Sequence, residues 1–290
     1  MAVAATGFFD GVHLGHREVL GRMCAIARSK GEESVVVTFW PHPRSVLQQD
    51  ADKLRLITTL DEKRALCLAC GVDRFEILPF SRDFSRLSAR AFVQDYLVER
   101  FGVTTLVVGY DHRLGHDRFD SVEQMMDTIR ACGVEPVRVE AVGTVSSTSI
   151  RGRLAAGDVV AAGEMLGYRY GLHGVVVAGN RIGRTIGFPT ANMQLYEPLK
   201  LVPGNGVYAV DVEVLGEQYR GVCNIGLRPT VGLGGGRTIE THILDFDQDI
   251  YGLDLRIRFR ARLRDEHKFG SLDALKDQLA ADCKKVREIV

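Results

Sequence analysis

Two histidines three residues apart, His13 and His16, stand among three glycines and one acid in "TGFFDGVHLGH" (residues 6–16). Imidazoles both donate and accept, and they titrate near neutrality, so a pair facing one point suits an anion or a metal. Gly7, Gly11 and Gly15 let the backbone approach such a ligand closely. A zinc site would need a third ligand and an HExxH-like context, and neither is present. Phosphate binding and a structural pair remain. Asp10 could orient a histidine, serve a metal or stabilise the turn.

Three further clusters carry oxygen-rich or charged groups. In "VSSTSIRGRL" (145–154), Ser146, Ser147 and Thr148 precede an apolar helical stretch, as N-caps do, and Arg151 follows about one turn later. Hydroxyls, free amides and a guanidinium together suit the β- and γ-phosphates of a nucleotide; a plain cap is the alternative. In "GNRIGRTIGFPTANM" (179–193), Pro189 fixes the backbone beside Thr190. Thr190 and Asn192 then offer neutral oxygens suited to Mg²⁺ and phosphate in a loop. No G-K-[ST] is present, and composition alone makes this a turn. In "TIETHILDF" (238–246), Thr238, Glu240 and His242 share one strand face opposite Ile239, Thr241 and Ile243. Glu240 is a solvated carboxylate or a base there, and Asp245, Asp247 and Asp249 after it read as a loop.

These groups need elements to hold them. "MAVAA" reads as a strand, and Val19, Leu20, Met23 and Ile26 recur at helical spacing after the histidines. The stretch between is a strand–turn–helix junction, where backbone N–H groups and the helix dipole favour anions. "SVVVTF", "RFEILPF", "TTLVVG" and "EPVRVEAV" read as strands alternating with helices, which predicts a parallel sheet covered on both faces. After about residue 168, "GLHGVVVAG", "GVYAVDVEVLG", "QYRGVCNIG", "TIETHILDF" and "LDLRIRFRARL" are strands between Gly, Pro and Asn turns. They predict a small antiparallel barrel. One helix closes the chain, with Leu272, Leu275, Leu279 and Cys283 on one face. The expected domains are 1–167 and 168–290, joined at "GEMLGYRYGLHG".

Composition limits the function classes. With 290 residues, 46% hydrophobic and 26% charged, the chain has the make-up of a folded globular protein of about two domains. Lys+Arg and Asp+Glu are 37 each, which argues against an extended nucleic-acid or membrane surface. No apolar run reaches the ~20 residues of a membrane span. No basic residue precedes Arg17 and Asp10 interrupts the apolar start, so no secretory leader is expected. Six cysteines with one C-x-x-C pair, Cys67 and Cys70, read as free thiols of a reducing cytoplasm.

An H-x-G-H turn early and an S-S-T-x-x-R turn late in one α/β domain resemble the nucleotidylyltransferase superfamily, implying a Rossmann-like domain. "GFFDGVHLGH", "TFWPHPRSVL", "LITTLDEKRALC", "VVGYDHRLG" and "VSSTSIR" together resemble the adenylyltransferase module of bacterial bifunctional riboflavin kinase/FAD synthetases, across most of residues 3–165. "GFPTAN", "GVYAV", "NIGLRPT", "ETHILDFDQDIYG" and "LRDEHKFGSLDALKDQL" resemble the riboflavin kinase module, across about 168–288. The resemblance implies phosphorylation of riboflavin to FMN, then adenylylation of FMN to FAD with release of pyrophosphate. ATP is the co-substrate, ADP a product and Mg²⁺ the metal, in the cytoplasm. By this likeness His13, His16 and Glu240 are catalytic, Glu240 as base for the ribityl hydroxyl. Gly7, Asp10, Gly15, Ser147, Thr148, Arg151, Gly183, Thr190 and Asn192 serve ATP and its phosphates, with Thr190 and Asn192 also on Mg²⁺. Asp111, Tyr208, Asn224, Arg228 and Arg264 contact flavin. Three departures stand out: few residues before the first strand, Phe8 where Asn is usual, and His112 and Leu114 where Phe is usual. They open a second reading, in which only the kinase half is active. A flavin-binding protein without ATP turnover is a third.

Overall fold

A computed structural model describes residues 1–47, 54–110, 112–179, 183, 186–227 and 237–289. The chain divides into two compact units, Met1–Ser147 and Thr148–Val290.

Runs of small and β-branched residues build the sheet of the first unit. Its strands are β1 (Ala2–Thr6), β2 (Glu33–Trp40), β3 (Arg74–Pro79), β4 (Val103–Val108) and β5 (Glu135–Arg138). All pair in parallel, in the order β3-β2-β1-β4-β5. β1 lies at the centre and is buried along its whole length, as a strand covered on both faces must be. Its side chains alternate between two cores. Val3 and Ala5 join Val19, Leu20 and Met23 of the first helix, Leu14–Lys30. Ala2 and Ala4 join Phe92, Val93, Leu97 and Ile129 on the opposite face. One of the helices between strands forms over 89–101, with a π-helical middle at Phe92–Val98.

Helices Ser147–Ala155, whose first residue belongs to the first unit, and Val159–Leu166 precede the closed antiparallel barrel of the second unit. Its strands are β6 (Gly171–Val177), β7 (Ala191–Leu195), β8 (Gly206–Val214), β9 (Glu217–Leu227), β10 (Arg237–Ile243) and β11 (Asp254–Arg264), closing in the order β10-β7-β6-β11-β8-β9. The compact division falls ahead of the 167/168 boundary read from the motifs, and the stretch between is helical. β7 corrects the loop expected around Asn192. Ala191 and Met193 are buried and Asn192 between them is half-buried, a strand alternation masked in sequence by the preceding glycines and Pro189.

The C-terminal helix, Leu272–Glu288, buries Asp282, Cys283 and Val286, while Leu272 is 58% exposed. The buried face therefore starts later than the leucine spacing suggests. An ion pair sets it: Arg264 at the end of β11 donates to both carboxylate oxygens of the fully buried Asp282, at 2.9 and 3.0 Å to Oδ2 and 3.3 Å to Oδ1. Gln278 adds a donor to Oδ1 at 2.9 Å.

Candidate active site

The turn after β1 is tightly wound. Phe9 (φ 48°) and Val12 (φ 39°) both occupy the left-handed region, which a β-branched residue such as Val12 rarely adopts. Burial of both side chains and a Val12 N–H to Phe9 carbonyl bond of 3.1 Å hold them there. The turn delivers His13 as N-cap of the first helix, its Nδ1 accepting from the His16 N–H at 3.3 Å. The two imidazoles stack with centroids 3.6 Å apart and planes 16° from parallel. A Cβ at Gly15 would come within 3.3 Å of the His13 ring, a crowded approach that glycine avoids. Phe9 packs its ring edge-on to His16 at 5.3 Å. Burial, then the charges of His13 and Lys63, push the His16 pKa well below the ordinary imidazole value. Its Nδ1 is buried and has no hydrogen-bond partner among the described residues. His16 is therefore a neutral ring at pH 7, with a nitrogen to offer.

Of the roles considered for Asp10, the geometry displays the turn-stabilising one. Its buried carboxylate accepts from the Ile57 N–H (3.0 Å), the Thr58 N–H (3.0 Å) and the Thr58 hydroxyl (3.2 Å). Thr58 Oγ1 in turn accepts from the Gly11 N–H at 3.0 Å, so the glycine turn is tied to residues 57–58. Thr59 then starts the helix Leu60–Ala69 with a capping box closed by Glu62. Ser147 also reaches the turn, its hydroxyl donating to the Asp10 carbonyl at 2.9 Å. Ser147 is the first residue of its helix, with Thr148 next and Arg151 one turn on. Gly7 follows β1 directly, its N–H donating to the Val37 carbonyl at 3.1 Å.

Sequence reasoning passed over Thr58 and Lys63. Thr58 resembles any turn threonine, and Lys63 sits in the charged run "DEKR", where solvent exposure is the ordinary expectation. Instead Lys63 is 1% exposed and its Nζ lies 3.7 Å from the centroid of the Phe8 ring. Burial pulls its pKa down to about 8, against an opposing pull from Asp10. Phe8 also meets His42 edge-on at 3.8 Å. The departures at His112 and Leu114 are quieter. His112 Nε2 lies 3.2 Å from Thr6 Oγ1, and Leu114 is enclosed in the core beside Ala89 and Phe92. Asp111 lies outside the described residues.

In the barrel, three expected residues share one row. Glu240 on β10 is the Cα partner of Asn192 on β7 and of Asn224 on β9. Directly opposed residues point to the same face, and all three are half-buried. A Cβ at Gly179 would fall 2.2 Å from Asn192 Nδ2, so that glycine makes room for the amide. Thr190 lines a cavity of about 320 Å³ with Thr241, Phe246, Asp247, Asp249 and Tyr251. Its hydroxyl and carboxylate oxygens are hard donors of the class Mg²⁺ takes. Gly183 packs against Phe188, whose N–H donates to the Gly183 carbonyl at 2.8 Å.

Two residues expected at flavin are occupied otherwise. Tyr208 is fully enclosed, with its hydroxyl donating to the Gly204 carbonyl and its ring edge-on to Phe259. That leaves no surface for a ligand. Arg264 holds Asp282, and its Nη1 donates to the Asp265 carbonyl at 3.0 Å. Arg228 lies outside the described residues.

Two family models match the chain, FAD synthetase over residues 1–151 and riboflavin kinase over residues 166–290. A bifunctional riboflavin kinase/FMN adenylyltransferase of Bacillus subtilis (strain 168) is 38% identical, covering 97% of this chain and 90% of the relative. Its counterpart from Pseudomonas fluorescens is 39% identical over 99% of this chain and 92% of the relative. A crystal structure from Streptococcus pneumoniae, described as a macrolide-efflux protein, is 34% identical with a TM-score of 0.91, covering 99% of this chain and 94% of that one. Among the described residues no helix is long and apolar enough to cross a membrane.

Proposed function

The chain belongs to the bifunctional riboflavin kinase/FMN adenylyltransferase family, and from that membership we propose how its residues divide the work. It phosphorylates riboflavin to FMN with ATP and transfers AMP from a second ATP to FMN, giving FAD and pyrophosphate. We assign the adenylyl transfer to residues 1–167 and the kinase to 168–290, in the cytoplasm.

One asymmetry carries the assignment: a carboxylate stands between two amides on the barrel, while the glycine turn presents stacked imidazoles. The kinase needs a base, because an alcohol attacks. Glu240 takes the proton from the ribityl hydroxyl as that oxygen bonds the γ-phosphorus and ADP leaves. Thr190 and Asn192 hold the nucleotide's phosphates, with Gly183 at the neighbouring turn; the same two residues would hold Mg²⁺, which would supply neutralisation of the charge growing on the phosphates. Asn224 and Arg228 border the flavin, and Arg264 serves indirectly by fixing the C-terminal helix.

Adenylyl transfer needs no strong base, since the FMN phosphate is already anionic. Its oxygen bonds the α-phosphorus as the bond to pyrophosphate breaks. The protein's task is alignment and charge stabilisation. His13 and His16 donate to the phosphates, with Gly7 and Gly15 admitting them to the backbone. Ser147, Thr148 and Arg151 hold the leaving pyrophosphate, Asp10 keeps the turn in shape, and Asp111 borders the flavin. The kinase-only reading has no support, since both halves match their families.

A chromatographic time course of riboflavin with Mg²⁺–ATP tests the whole scheme. FMN should rise first and FAD follow. Riboflavin and FMN both left unchanged would overturn it.

A further inference from the structure

Lys63 is a buried cation. Its Nζ is enclosed and has no hydrogen-bond partner among the described residues. The Asp10 carboxylate attracts it, yet that carboxylate accepts from Ile57 and Thr58 and makes no hydrogen bond to Nζ. What Nζ does touch is the face of the Phe8 ring, inside the glycine turn itself. A methionine would fill the same space without the cost of desolvating a charge. A buried charge of this kind becomes favourable when an anion arrives beside it. The surroundings point the same way: the turn ends at the amino terminus of a 17-residue helix, and the second unpartnered buried atom of the region is His16 Nδ1.

We propose that Lys63 is a phosphate-binding residue of the adenylyl-transfer half, its ammonium, seated on Phe8, pairing with a phosphate oxygen of the nucleotide held at the His13–His16 turn. The contact strengthens as charge moves onto the leaving pyrophosphate. The ring of Phe8 keeps the flexible side chain aimed while the site is empty. Burial, then the charge of His13 and then that of Lys63, hold the His16 pKa down, so Lys63 adds to keeping that ring neutral. The ionisable groups that bear on Lys63 are Asp10 from the turn, His16 from the first helix and Cys67 from its own helix.

The proposal rests on adenylyl transfer at this turn, and its test separates the two. Full-length Lys63→Met should lower kcat/KM for ATP in the FMN-to-FAD reaction by at least about 100-fold. Riboflavin phosphorylation should be unchanged, and thermal stability equal or higher. In the unsubstituted protein kcat/KM should fall as pH rises through about 8, where Lys63 loses its proton. That limb should vanish in Lys63→Met and move to higher pH in Lys63→Arg. FAD formation by Lys63→Met within twofold of normal overturns the proposal. So does a loss accompanied by a lower melting temperature and a failing kinase, which would make Lys63 a space-filler. If even the unsubstituted protein makes no FAD from FMN, the functional reading fails on its own account. Inorganic pyrophosphate titrated onto both proteins then decides for Lys63: weaker binding to the variant supports it, equal binding overturns it.

Discussion

Glu240 and Asn192 face each other directly across β10 and β7, with Asn224 continuing the row on β9. A sheet fixes such a row far more rigidly than a loop could, which is what a proton acceptor beside a phosphate requires. Glu240→Gln keeps the shape and removes the base. It should cut FMN formation from riboflavin by about 100-fold or more, in the range ascribed to general bases. FAD formation from supplied FMN should persist. Loss of both activities would count against a base confined to the barrel reaction.

His16→Ala should do the reverse. Riboflavin should still be phosphorylated, FMN should accumulate, and FAD should not appear in a chromatographic time course. Unchanged FAD output would remove this ring from the mechanism.

The same residue leaves a mark on stability. Folding holds the His16 pKa down, while the unfolded ring takes a proton at its ordinary value of ~6.5. The unfolded chain therefore binds more protons below that pH, and stability should fall as the solution is acidified through it. His16→Ala should flatten this part of the curve, read as urea midpoint against pH. Identical slopes for the two proteins would contradict the burial argument.

The Arg264–Asp282 pair ties β11 to the C-terminal helix from an almost dry position. Asp282→Ala leaves a guanidinium without its carboxylate and should cost on the order of 3 kcal/mol in chemical unfolding. A shift below about 0.5 kcal/mol, the range of ordinary surface changes, would show the pair to be ornamental.

Leu114 belongs to the core, so restoring an aromatic there should not improve catalysis. Leu114→Phe should destabilise the first unit by roughly 1–3 kcal/mol through overpacking and leave the FMN-to-FAD rate no higher. A faster rate would place this position at the acceptor after all.

Much of this was legible in the chain itself, and the exceptions have physical causes. The parallel sheet and the barrel followed from apolar period, since strands buried on both faces read differently from strands that alternate. The helix start at the histidines and the strand face shared by Thr238, Glu240 and His242 followed from local spacing. What stayed hidden depends on residues distant in sequence. Nothing near Ser147 tells that its hydroxyl meets the carbonyl of Asp10. Lys63 looks like one more surface charge until Phe8 is folded over it. Tyr208 and Arg264 sit in motif stretches, yet they serve packing and helix docking. β7 was obscured because its few residues follow a segment rich in turn formers.

Closure of the second sheet also bears on behaviour at high concentration. A ring of strands has no unpaired margin for another polypeptide to extend, and among the described residues the outer strands of the first sheet, β3 and β5, offer open backbone. Pro136 within β5 removes one donor from that rim, and Arg74 and Glu76 put opposite charges along the other. Among the described residues, strand addition is thus opposed in one unit by geometry and in the other by side-chain chemistry.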